Sequence, residues 1–397
     1  MGKFYFDYYS HINLGRRVGQ PFNGANNGTE LLLLQIMKSE YYGRCPIKVV
    51  YPKGFEPRDA HEKSFIKAEK FESVYVDKLD NLPFEPGDII FIPLVCGREL
   101  IEADNLKKKF PYLKIYGRVH DKNHNFPYDI KDRLYYSGIR RTGLMLTIDW
   151  FGKRILFRIK YGQWISNFDK IFTVSNYSLQ RLKHNKVKFI NYYYQGVLDY
   201  YINKAQSRIP NNGDNKEFLL FISGGRPEKN CLRTILAFER YKAEHPKDKV
   251  KLYITSTKKE TRKNLLRTLS HYKEFKPEHV KFYDYLSFDE LNELYVNCKF
   301  LLFTSKGEGF GLPILEAMMG GRPTLASWNT FIPEVAGSSI RYINPFDIDS
   351  IKKGIEYYSV PENLEFYEKA VRRRGVIVKE QIKEDADMLF RELFEEL

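Results

Sequence analysis

Long apolar runs are missing from this 397-residue sequence. No stretch approaches the roughly 18 apolar residues that a membrane-crossing helix needs. The amino-terminal MGKFYFDYYSHINLG lacks the uncharged core of a secretion signal. The expectation is a soluble, cytoplasmic protein. Cysteine is scarce too. Cys45, Cys96, Cys231 and Cys298 are far apart, and three lie in or beside apolar runs. That pattern fits buried free thiols in a reducing compartment and forms no Cys/His metal cluster. Acidic residues are outnumbered, 50 against 64 Lys and Arg, for a net charge of +14. The excess suits an anionic partner: nucleic acid, an anionic membrane face or a phosphate-bearing substrate. No recognition helix, zinc finger or RNA-binding signature accompanies it, so a nucleic-acid partner is not expected.

What is present is globular and aromatic. Hydrophobic residues make up 43% and charged residues 29%, with 29 Tyr and 29 Phe. The length exceeds one ordinary core, so two domains of about 200 residues are expected. Apolar runs at 4–9, 47–52, 73–76, 88–94, 113–121, 169–175 and 187–196 read as strands alternating with helical or loop segments. The polar stretch 197–217, with Pro210, Asn211, Asn212 and Gly213, reads as a linker. A second series follows at 218–222, 250–256, 279–286, 299–303, 323–327 and 339–343, then a mostly helical tail. Two doubly wound α/β domains are expected: 1–195, and 196–379.

One stretch, TSKGEGFGLPILEAMMGGRP at 304–323, organises the second series. A buried strand leads into a turn with Gly307, Gly309 and Gly311, and a helix is expected to begin at Pro313 and stop at Gly320–Gly321. Such a turn suits close approach of a ligand at the carboxyl edge of a parallel sheet. Glu308 on the turn is placed to accept from sugar hydroxyls or to stabilise positive charge developing at a sugar ring. Glu316, about a turn into the helix, is placed to accept from a ribose diol, or else serves the helix dipole. In SGGRPEKN, Arg226 and Lys229 fall between a strand and a helix, a good place for a diphosphate. His120 and Asp121 end a strand at the mouth of the first sheet. Facing sheet edges across a cleft suit group transfer from a nucleotide-bound donor. The segment 149–165 mixes Trp150, Phe151, Trp164 and other apolar residues with Lys153, Arg154, Arg158 and Lys160. It is either a sheet-covering helix or a contact with an anionic membrane or a lipid phosphate.

These motifs also carry a resemblance. Glu308 through Met318, EGFGLPILEAM, resembles the E-x7-E signature of retaining nucleotide-sugar glycosyltransferases of family four, which have the GT-B fold. Gly321-Arg322-Pro323, Pro333 to Gly337 and Asn344 to Asp347 resemble the rest of that block in order. Gly225-Arg226 with Lys229-Asn230 resembles the pair that holds the donor diphosphate, and His120-Asp121 the His-Asp pair of the amino-terminal domain. The likeness is specific over 218–350 and thin over 1–200. It implies Glu308 by the donor sugar, Glu316 by the ribose, Arg226 and Lys229 on the phosphates, and His120 at the reaction centre. The amides of Gly309, Phe310, Gly311 and Leu312 would line the donor site. The family's Gly-Gly loop finds its nearest match in Gly24 to Glu30, within an unusually long loop, and places Asn27 and Gly28 at the donor.

The resemblance further implies a metal-independent reaction with no tightly bound cofactor. It implies retention by same-face attack assisted by the leaving phosphate, and a chain end, 380–397, that packs back on the first, acceptor-binding domain. The expected activity is transfer from a UDP- or GDP-sugar to a hydroxyl of a glycan or lipid-diphosphate-linked acceptor in surface polysaccharide synthesis, at or near the inner membrane face. The alternatives are a phosphorylase, hydrolase or epimerase of the same architecture, or a non-catalytic nucleotide- or glycan-binding protein.

Overall fold

A computed structural model describes residues 2–12, 24–57, 63, 66–95, 98–120, 160–182, 190–194, 217–222, 225, 227–257, 259–284 and 286–397. Asp121, Arg226, Cys96, residues 149–159 and most of the expected linker lie outside them.

The chain forms two compact units, and residues 380–397 belong with the first. The first unit is built on β1 (Phe4–Asp7), β2 (Ile47–Pro52), β3 (Phe71–Val76), β4 (Ile89–Ile92), β5 (Lys114–Val119), β6 (Lys170–Thr173) and β7 (Ile190–Tyr192). They make a seven-stranded sheet in the order β3-β2-β1-β4-β5-β6-β7. Every pairing is parallel, with Phe4 opposite both Ile47 and Ile89. The order reverses direction at β1 and β4, so the switch point lies beyond the carboxyl ends of these two strands. IIFI in β4 is buried at every residue, as strands covered on both faces must be.

The second unit carries β8 (Phe218–Phe221), β9 (Lys251–Ile254), β10 (Val280–Phe282), β11 (Leu301–Phe303), β12 (Thr324–Ser327) and β13 (Arg341–Ile343). Their order is β10-β9-β8-β11-β12-β13, again all parallel. Helix Cys231–Glu244 contributes Ile235, Leu236, Phe238 and Tyr241 to one core. Helix Phe288–Asn297 starts on a capping box, with the Ser287 side chain accepting from Glu290 N and the Glu290 carboxylate accepting from Ser287 N. Several strands differ in extent from the expected runs: β3 starts earlier, at Phe71, while β7, β10 and β13 are three-residue strands. Hydrophobic runs mark where a strand is buried; hydrogen-bonding neighbours set where it stops.

A 34-residue helix, Pro361–Phe394, closes the chain. Its end accounts for part of the aromatic load. The Phe394 ring lies 4.7 Å from that of Phe4 and 5.7 Å from that of Tyr41, within a cluster that includes Leu389, Phe390 and Leu393. Beyond it, Glu396 takes Lys114 Nζ at 2.8 Å, Lys170 Nζ at 2.9 Å and the Tyr116 hydroxyl at 2.8 Å. Lys114, with Lys170 and Tyr116, holds the Glu396 carboxyl down at about 2 against a smaller opposing effect of burial. Of the aromatic-basic segment, residues 160–165 are helical, with Tyr161 and Ile165 buried and Trp164 packed against the same core. Cys45, Cys231 and Cys298 are buried thiols outside any disulfide. Among the described residues no helix is long and apolar enough to cross a membrane.

Leu393 is fully buried against the first sheet. Leu393→Ala is expected to cost about 2–5 kcal/mol, read as a lower urea midpoint for the first unit.

Candidate functional site

The candidate site of the second unit collects at the carboxyl ends of β8 and β11. After β8, a 3₁₀ turn, Pro227–Lys229, leads to Asn230 in a left-handed conformation (φ 68°) and then to helix Cys231–Glu244. After β11, the segment 304–311 runs as an irregular loop into helix Leu312–Met319. Pro313 is therefore the second helical residue and not the first. Gly311, at φ +70°, is the hinge. A Cβ there would sit 2.4 Å from the Phe331 ring, so neither the backbone nor the space admits a side chain.

Lys229 and Glu308 form a buried ion pair, with Lys229 Nζ donating to Glu308 Oε1. Ser305 Oγ lies 2.7 Å from the same carboxylate oxygen, and the Phe303 ring packs 5.1 Å from the ammonium. Both charges are nearly sealed, with 6% and 10% of their side chains exposed. Burying a pair this deeply is tolerable only with good geometry and further hydrogen bonds. The surrounding loop supplies them. Asn230 Nδ2 donates to Thr304 O (3.2 Å) and Pro345 O (2.6 Å). Asn329 Nδ2 donates to Ser305 O (3.2 Å) and Lys306 O (3.0 Å). The side chains of Phe310 and Leu312 turn into the core, leaving backbone as the chemistry of Gly309 to Leu312. A helix amino terminus offers N–H groups and partial positive charge there.

Glu316 is also buried, and its Oε2 accepts from the Tyr295 hydroxyl at 2.5 Å. Burial raises its carboxyl to about 7, against the lowering effects of Tyr295 and the Lys229 charge. Tyr295 was invisible as a partner, since it belongs to helix Phe288–Asn297 and no local pattern ties it to Glu316.

In the first unit the expected residues converge through a residue that sequence reasoning missed. Gly24 to Gly28 are not a loop: helix Gly24–Lys38 already contains them. Arg118 in β5 is buried and donates to Gly28 O at 2.8 Å and to Pro93 O at 3.3 Å. His120 Nε2 lies 3.2 Å from the same Pro93 carbonyl. Burial, reinforced by the Arg118 charge, pushes the His120 pKa well below its ordinary value, outweighing the Pro93 contact. The ring is therefore neutral. A carbonyl only accepts, so Nε2 carries the proton and Nδ1 is left as an acceptor. Asp7 closes β1 at the switch point. Its Oδ1 accepts from Ser10 N at 2.9 Å, and its Oδ2 is buried without a partner. Burial raises this carboxyl to about 7 despite the Ser10 hydrogen bonds.

Among the described residues, Glu244, His245 and Glu356 could share a metal ion. Lys352 Nζ already donates to Glu244 at 2.7 and 2.6 Å and lies 3.2 Å from Glu356, so an ammonium supplies the positive charge there.

Comparison with known proteins bears on the family likeness and the fold. Residues 202–370 match the family model "Glycosyl transferases group 1". A serotype-specific mannosyltransferase, WbdA of Escherichia coli, is 33% identical over 160 residues, 40% of this chain and 20% of its own length. O-antigen chain mannosyltransferase B of the same organism is 38% identical over 76 residues, 19% of this chain and 20% of its own. The chain thus spans about a fifth of the length of these relatives. Among solved structures, sucrose-phosphate synthase of Thermosynechococcus elongatus superposes with TM-score 0.66 at 14% identity, covering 100% of both chains. HepE of Anabaena, in complex with UDP and glucose, superposes with TM-score 0.62 at 15% identity, also over 100% of both. The likeness shows the fold: two Rossmann-like α/β units of the GT-B type.

The unfolded chain ionises Glu316 near 4.5 and the folded chain near 7. Folding therefore holds an extra proton between these values, and this group's contribution to stability falls as pH rises through that window. Glu316→Gln is expected to melt above the parent at pH 8, with the gain gone below about pH 4.5, in a series of thermal scans.

Proposed function

We propose that this protein is a retaining glycosyltransferase that moves mannose from a UDP- or GDP-linked donor to a hydroxyl of a glycan or lipid-diphosphate-linked acceptor in surface polysaccharide synthesis. The observation that carries the proposal is the buried Lys229–Glu308 pair set against a glycine turn at the carboxyl ends of β8 and β11. Choice of mannose rests on the relatives, whose names describe mannosyltransferases.

In this reading the second unit, 196–379, binds the donor and the first, 1–195 with 380–397, binds the acceptor. Lys229 and Arg226, with the amides of Gly309 to Leu312, hold the diphosphate and stabilise the charge that grows on it as the sugar–phosphate bond breaks. No metal ion is needed for that task. Glu308, paired with Lys229, accepts from a sugar hydroxyl. His120, neutral and with Nδ1 free to accept, receives another hydroxyl near the reacting carbon. The acceptor oxygen attacks on the face that the phosphate leaves, and the leaving phosphate oxygen takes its proton, so the anomeric configuration is retained. Glu316 accepts from the ribose, and Asn27 and Gly28, at the start of their helix, approach the donor phosphates.

A net charge of +14 favours an anionic acceptor and an anionic inner membrane face. Tyr161 and Ile165 are already committed to the core, so any membrane contact of segment 149–165 falls to its earlier part.

Two assays test the proposal. Purified protein is offered a panel of UDP-, GDP- and ADP-sugars, with nucleotide release and product configuration read by NMR. Glu308→Gln is expected to retain the fold and to lose transfer by about 10²–10³-fold. Nucleotide binding without sugar release from any donor would instead identify a binding protein. Lys229→Ala differs from Glu308→Gln in leaving a buried carboxylate unpaired, so its melting temperature is expected to fall as well.

A further inference from the structure

The rim of the Glu308 loop carries an aromatic surface that none of these roles uses. Trp328 follows β12 and is 65% exposed; Phe346 follows the adjacent strand β13 and is 49% exposed. Large aromatic side chains held in water at a site edge call for an explanation, because burial elsewhere would stabilise the fold. Neither side chain is loosely placed. Trp328 N donates to Ile343 O at 3.0 Å, and its ring stands edge-on to Tyr342, 4.5 Å between centroids at 87°. Phe346 N donates to Asn344 Oδ1 at 3.0 Å, and Lys306 Nζ lies 5.9 Å over the Phe346 ring.

Both loops are tied to the Glu308 loop by the same device. Asn329, next to Trp328, donates its side-chain amide to the carbonyls of Ser305 and Lys306. Asn230 donates to Pro345 O, next to Phe346, and to Thr304 O. The Trp328 loop also holds its shape at a cost. Thr330 is at φ +55°, and Thr330 Oγ1 and Asn329 Oδ1 are shielded from solvent with no partner. A rigid, costly loop that keeps an indole face in water is the form of a preorganised binding surface.

Sheet order indicates which ring it receives. Glu316 meets Tyr295 on helix Phe288–Asn297, which arrives from β10; β8, β9 and β10 lie on one side of β11. Trp328 and Phe346 follow β12 and β13, on the other side. The nucleoside end and the aromatic rim thus diverge from Glu308, and the rim is left to sugar. A pyranose presents a face of C–H groups that packs on an aromatic plane, while its hydroxyls remain in water.

We propose that Trp328, with Phe346 at the end of the neighbouring strand, is a stacking platform for a pyranose ring of a glycan. The inference rests on the glycosyltransferase reading and extends it to a glycan contact on the second unit. Isothermal titration with α-linked mannotetraose, GDP and UDP tests it on the parent protein, Trp328→Ala, Trp328→Phe and Phe346→Ala. Trp328→Ala is expected to weaken mannotetraose by at least about tenfold, a loss of one stacking contact. Trp328→Phe should recover most of that loss, and nucleotide affinity and donor hydrolysis should not move. Unchanged mannotetraose binding in Trp328→Ala overturns the platform, as does a parallel loss of nucleotide affinity, which would mean base stacking. A parent protein that binds nucleotide but no mannotetraose overturns it too. The transferase reading fails separately, when no sugar is released from any donor.

Discussion

A buried cation beside a buried anion, Lys229 and Glu308, organises the loops at the carboxyl ends of β8 and β11. Taking Lys229 and Glu308 out of water is unfavourable unless each finds its partner and the remaining lone pairs are met. That requirement explains much of the neighbourhood. Ser305 sits at the carboxylate, the Phe303 ring lines the ammonium, and the loop carbonyls that would otherwise stray are held by Asn230 and Asn329. The same condition fixes the turn. Gly311 must be at positive φ for the chain to pass Phe331 and start its helix, and that passage leaves Glu308 pointing back at Lys229.

The first unit solves a related problem with a different residue. Arg118 lies within a strand whose other residues are mostly apolar, and its guanidinium donates to the carbonyl oxygens of Gly28 and Pro93. Desolvation lowers its pKa to about 9, yet it stays cationic at neutral pH. The consequence reaches His120, whose pKa is depressed by the same burial and by this charge. Among the described residues, the neutral imidazole with a fixed tautomer is thus a product of the scaffold, set by Pro93 and Arg118.

How much of this the residues announce depends on whether the cause is local. Helix Cys231–Glu244 and the strand–turn–helix from Leu301 to Met319 are legible because apolar spacing, glycine and proline act within a few positions. Lys229 and Glu308 could be picked out separately, each beside a strand end. Their pairing could not, because it joins loops after different strands. Arg118 reads as a strand residue with a surface charge, and Tyr295 as an ordinary helix position. Only the sheet order, which brings β8 beside β11 and β5 beside β4, gives them partners. The stretch Gly24 to Gly28 misled in the opposite direction: glycine and asparagine favour turns locally, but Arg118 and the packing of Leu32, Leu33 and Ile36 hold this run in the helix.

The long helix Pro361–Phe394 has a bearing on how the protein is made. The cover for Phe4 and Tyr41 is drawn from Leu389 to Phe394, which the ribosome adds only after the whole second unit. At about 5–20 residues per second, the first sheet waits on the order of ten seconds or more with that aromatic face unfinished. For the whole of this interval the first unit lacks the cover that Leu389 to Phe394 provide. The second unit, whose strands and helices are nearly contiguous in sequence, has no such delay.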